Sequence, residues 1–192
     1  MCCSLLLIIN SRLKGLIKGG MDLMDMQDVL KLMMEAETLK MVSERTGISE
    51  NDASSAMAVV LPMLLQGMQG QAKSEDTQKG FLDALLTHSK DDTSDVKKAI
   101  KQSDADDGAK IVKHLLGNDE EEIAAKAKKK SGLDTKTILK IMAIVAPILM
   151  AQMGKNAKKE KESAKEDGGI VGDILGNIDA GDVVKIIGIL MN

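Results

Sequence analysis

Aromatic side chains are almost missing from this chain of 192 residues: there is one Phe, no Trp and no Tyr. Without aromatic platforms, single-strand nucleic-acid binders that stack bases are excluded. An aromatic cage for a quaternary cation is excluded for the same reason. Cys and His are scarce, with two of each, and such a set builds neither a disulfide scaffold nor a zinc ribbon. Cys2 and Cys3 are adjacent, and vicinal cysteines rarely bridge each other. That points to a reduced, cytoplasmic protein. A large excess of one charge is lacking too, since the formal net charge is −3. Strong nonspecific attachment to nucleic acid or acidic membranes is not expected of such a chain.

What is present is aliphatic and sulfur-bearing. Hydrophobic residues make up 44% and charged residues 29%, with 14 Met among them. The core must be built from Leu, Ile, Val, Met and Ala, most of which favour helices. Met packs adaptably and specifies geometry less sharply than Phe or Trp.

The opening stretch stands apart. Met1 to Ile9 is apolar, and Arg12, Lys14 and Lys18 follow it. A secretory signal carries its positive charges before the apolar run, and the run is far shorter than the roughly 20 residues that span a bilayer. Three readings of residues 1–20 stay open: a disordered tail, a short interfacial helix with Leu13, Leu16 and Ile17 on one side, or an untranslated stretch before a true start at Met21.

Two long segments have helical spacing, 52–69 and 135–153, and both are apolar nearly all round in the middle. They are copies of each other. Gly47 and Gly132 lie 85 residues apart, and so do Pro62 and Pro147. At the same offset Met57 matches Met142, Ala58 matches Ala143, Val60 matches Val145 and Met68 matches Met153. Glu35 with Glu120 and Leu30 with Leu115 extend the match upstream. We read an internal duplication, about 21–90 and 106–175.

Each copy carries the same punctuation. Gly47 or Gly132 is expected to supply a left-handed residue just past a helix end, and Ser49 or Asp134 to cap the next helix. Asn118 and Glu121 have the spacing of a capping box. Pro62 and Pro147 sit inside the apolar helices, where each removes an amide bond to the carbonyl of Ala58 or Ala143. A kink there, or a split into two helices, is expected. The expected order is therefore a tail over 1–20, a first helical repeat over 21–90 and a connecting helix over 91–105. A second repeat core over 106–153, a charged linker or helix extension over 154–169, and short C-terminal helices over 170–192 follow. The fold class is all-α: two tandem helical repeats, homeodomain-like or helical-hairpin units.

These residues carry a resemblance. Gly, an aliphatic residue and Ser or Asp are followed by an amphipathic stretch. Val60-Leu-Pro-Met-Leu-Leu65 or Val145-Ala-Pro-Ile-Leu-Met150 comes next, and Gly172-Asp-Ile-Leu-Gly176 lies near the end. The pattern resembles the domain-of-unknown-function family 937, the YidB-like bacterial proteins. That resemblance implies an all-helical fold, homeodomain-like in at least one member, and no assigned activity.

Sites with chemistry are few. A helix-turn-helix is possible by spacing over Ile123–Lys140, with Lys126, Lys128, Lys129 and Lys130 meeting phosphates and Lys136 and Lys140 facing a groove. Against it, no Arg, Asn or Gln precedes Gln152 in the second helix to read base edges. The first copy opens that helix with Glu50, Asn51 and Asp52, which repel phosphate. Asp106-Asp107-Gly108 lacks the carboxylates of a calcium loop, because Ser103, Ala105 and His114 would fall at ligand positions. His88 has no partner at ligand spacing. Neither a nucleophile elbow nor a Gly-Lys-Ser/Thr phosphate loop is present. A Met-lined groove of Met57, Met63, Met68, Met142, Met150 and Met153 is weighed against plain core packing. The expectation is a non-enzymatic interaction or scaffold module, without cofactor, metal or small-molecule substrate. Its expected partner is a protein or another copy of itself rather than nucleic acid or membrane. The alternative is a weakly DNA-associated helix-turn-helix protein.

Overall fold

The computed structural model describes residues 26–93 and 95–163. Expectations placed on residues 1–20 and 164–192 lie outside the described residues. Among the described residues the chain is helical, without strands. In order come α1 (Met26–Met34), α2 (Ala36–Thr46), α3 (Glu50–Lys73), α4 (Glu75–His88), α5 (Val96–Gln102) and α6 (Ala105–Leu116). A 3-10 turn over Gly117–Asp119, α7 (Glu120–Ser131) and α8 (Thr135–Ser163) complete the order.

The turns form where the local chemistry demands them. Gly47 and Gly132 end α2 and α7 at φ 78° and 77°, a left-handed conformation that costs a side-chain-bearing residue strain. Two residues later each copy opens its long helix with the same capping network. Ser49 Oγ accepts from the Asp52 amide at 3.0 Å, and Asp134 Oδ1 accepts from the Thr137 amide at the same distance. Helix boundaries therefore recur at the 85-residue offset, although the bodies of the two matched stretches are used differently.

Two local expectations are corrected. Neither proline splits its helix: α3 runs unbroken through Pro62 and α8 through Pro147. Asn118 and Glu121 form no capping box, because the chain enters α7 through the 3-10 turn and no side chain caps it. Within the stretch expected as a connecting helix, α5 starts at Val96, where Asp95 accepts from the Lys98 amide. Val96 and Ile100 are buried, and Arg45 of α2 donates to the carbonyls of Ile100 and Ser103 at its far end. The stretch from Gly154 continues α8 as far as Ser163, with Gly154 and Ala157 buried rather than solvated.

α8 lies at the centre and packs most heavily on α6 and α4. Residues 141–146 are buried without interruption, as a helix enclosed on every side must be. Two glycines permit that enclosure. A Cβ on Gly108 of α6 would overlap the Ala143 carbonyl, and one on Gly154 of α8 would overlap the Leu85 carbonyl of α4. The Ala143 carbonyl is the one that Pro147 deprives of its helical amide, and the bare backbone of Gly108 approaches it instead. Phe81, the single aromatic residue, is fully buried in the same core.

Candidate interaction face

All six candidate lysines are exposed: Lys126, Lys128, Lys129 and Lys130 on α7, and Lys136 and Lys140 on the first turns of α8. Lys126, Lys129 and Lys130 share one helix face by their spacing. Lys126 is already paired with Glu122 at 2.8 Å. The hydrogen bond between them, then their charge attraction, holds Glu122 below the usual carboxylate range and Lys126 above the usual lysine range. Beyond Lys140 the second helix of the supposed motif enters the core, so only its first turns could reach a groove.

The Met residues divide unevenly. Met57, Met68, Met142 and Met153 are fully buried and Met150 is 2% exposed, so these five pack the interior. Met63 alone of the six is half-exposed. It borders a shallow depression of about 220 Å³ between α3, α6 and α7, with Gly67, Leu115, Leu116 and Ile123 around it and Lys126 at the rim. Pro62 beside it and Val59, one turn back on α3, continue this half-buried apolar strip.

Among the described residues the buried polar side chains are Thr38, Thr93 and Gln152, all uncharged. Asp134 is also displaced, held below the usual carboxylate range by the Thr137 hydroxyl and then the Thr137 amide. No three His, Cys, Asp or Glu side chains among the described residues gather at metal-binding distance. His88 does have a partner, Asp91 at 2.8 Å, but the contact is a hydrogen bond at the end of α4.

A second depression, about 250 Å³, has Pro147 and Ile148 on its floor and Asp91, Asp104 and Asp107 around it. Its carboxylates have local work: Asp104 accepts from the amides of Asp106 and Asp107 at the start of α6. Sequence reasoning placed glycines at helix ends and so missed Gly108 and Gly154. The available signal was a glycine inside an otherwise periodic helix, where it is retained against its intrinsic cost only for packing.

Among the described residues the features define an all-α bundle with an aliphatic interior, peripheral charges and a partly exposed apolar strip on α3. The chain belongs to the family described as "Bacterial protein of unknown function (DUF937)", whose model matches residues 28–156. No curated protein and no solved structure matches it. By length and composition the stretch Thr135–Lys158 of α8 could cross a membrane, yet 78% of its most apolar window is buried inside the bundle.

Proposed function

We propose that this chain is a non-catalytic helical interaction module, working in the cytoplasm, that binds a protein partner or another copy of itself through the α3–α7 face. The observation that carries the reading is the partly exposed apolar strip of Val59, Pro62 and Met63 on α3, with Met63 and Ile123 bordering the depression between α3, α6 and α7. An apolar strip rimmed by Lys126 is the composition of a protein-binding patch.

The DNA-associated alternative has the exposed lysines in its favour and the burial of α8 against it. In-cell crosslinking read by mass spectrometry tests both. Protein crosslinks mapping to α3 and α7, lost in Met63→Glu, are the expected result. Crosslinks unchanged in Met63→Glu overturn the assigned face. A duplex-DNA shift at low salt that disappears in a Lys129→Glu, Lys130→Glu double variant puts the DNA reading in its place.

A further inference from the structure

The side of α3 turned away from the core is one continuous stripe. Asp52, Ser55, Val59, Pro62, Gln66 and Lys73 follow one another at helical spacing, so they share a face. Met63 and Gly70 lie on the same face, and none of these residues is buried. Chemistry is ordered along the stripe. Asp52, acidic, stands at its N-terminal end and Lys73, basic, at its C-terminal end. Val59, Pro62 and Met63 make an apolar centre, and the uncharged Ser55, Gln66 and Gly70 separate that centre from the ends. From Asp52 to Lys73 the stripe is about 31 Å long at the usual helical rise.

This order is self-complementary. Asp52 and Lys73 lie equally far along the chain from the point between Pro62 and Met63. So do Ser55 and Gly70, and so do Val59 and Gln66. A two-fold axis through that point lays a second α3 antiparallel on the first and sets each residue opposite its counterpart. We infer that the occupant of the α3 face is a second copy of this chain, paired antiparallel through α3 about an axis at Pro62 and Met63. At each end the Asp52 carboxylate of one molecule meets Lys73 of the other. At the centre Val59, Pro62 and Met63 of both molecules leave water together. Between centre and ends Ser55 faces Gly70, which has nothing within 4 Å of where a Cβ would stand, so the backbones can approach there. A parallel pairing would set Asp52 on Asp52 and Lys73 on Lys73, so charge selects the antiparallel one. Glu50 lies off the stripe by its spacing, and Glu75 and Asp76 open the next helix. Lys126, beside Met63, is already neutralised by Glu122 and adds no repulsion at the axis.

The inference rests on the proposed reading of the α3 face and names the partner it takes. Its test uses the full chain, by sedimentation over a dilution series. The native chain should form a dimer that dissociates on dilution. Met63→Glu and Met63→Lys each set like charges against each other at the axis. Each variant alone should be monomeric where the native chain is dimeric, with its circular dichroism unchanged. An equal mixture of the two should dimerise, which a face that pairs with itself at Met63 allows and a face for another protein does not. Lys73→Glu should weaken the dimer about tenfold, through two lost pairs and two new repulsions. Asp52→Lys added to Lys73→Glu should restore most of that loss. Asp52 also accepts from Ser49 Oγ at 2.7 Å, so recovery on top of a weakened cap is the result that reports the pairing. A native chain that stays monomeric overturns the inference, and so does a dimer that survives both Met63 changes. In either case crosslinks from α3 to other proteins leave the proposed face standing, and their absence removes that face as well.

Discussion

Gly47 and Gly132 have nothing within 4 Å of where a Cβ would stand, so a side chain there meets no neighbour and only the backbone resists. Gly47→Val or Gly132→Val should destabilise by roughly 1–3 kcal/mol through strain at a left-handed position, measured by urea unfolding. Gly108 and Gly154 are limited by space instead. Gly108→Ala or Gly154→Ala forces α8 away from α6 or α4 and should lose about 3 kcal/mol or more, at the upper end for an overpacked core. Gly80 is the contrast: it is exposed within α4 with no neighbour near its missing Cβ. Gly80→Ala should stabilise by about 0.5–1 kcal/mol through helix propensity alone. The positive-φ pair was legible from sequence because a glycine between two periodic stretches marks a turn. The crossing glycines were not, because nothing local says which helix will press against which.

At the scale of the element, capping was the most legible feature. Ser49→Ala removes the acceptor for the Asp52 amide and should cost about 1 kcal/mol. Asp134 does the same work in the second copy with a titratable group. Its folded-state titration lies below the usual range, so its contribution is present at neutral pH and is lost as pH falls through that lowered value. The stability gap between the native chain and Asp134→Ala should therefore be widest near pH 7 and should narrow towards about pH 3, below the ordinary aspartate range. A gap that stays constant over that interval would remove the carboxylate from the cap. The capping box at Asn118 failed for a physical reason: the last turn of α6 tightens into a 3-10 turn at Gly117, which leaves no geometry for a reciprocal cap. Of the kink or split expected at Pro62 and Pro147, the split does not occur, since a long helix held by its neighbours tolerates one missing amide bond.

Seen as one molecule, the two matched stretches do not fold as beads on a string. Buried side chains from α1 through α8 form one continuous cluster, and α8 of the second stretch packs on α4 of the first. Thermal unfolding followed by circular dichroism and by calorimetry should therefore give a single coincident transition. A fragment of residues 1–105, stripped of α8, should lack a cooperative transition, because Phe81 and Leu85 lose the helix that buries them. Two separable transitions would show that each stretch holds its own core.

Sequence alone determined the helical class, the left-handed glycines, the Ser49 and Asp134 caps and the 85-residue correspondence. All of these depend on a residue and its near neighbours along the chain. Which long helix would be enclosed, which methionine would stay at the surface and which glycines would let helices touch were decided by tertiary structure. Those properties belong to pairs of segments distant in sequence, and two long apolar helices cannot both occupy the centre. The helix between Gly108 and Gly154 took it, and its counterpart kept one apolar side partly open.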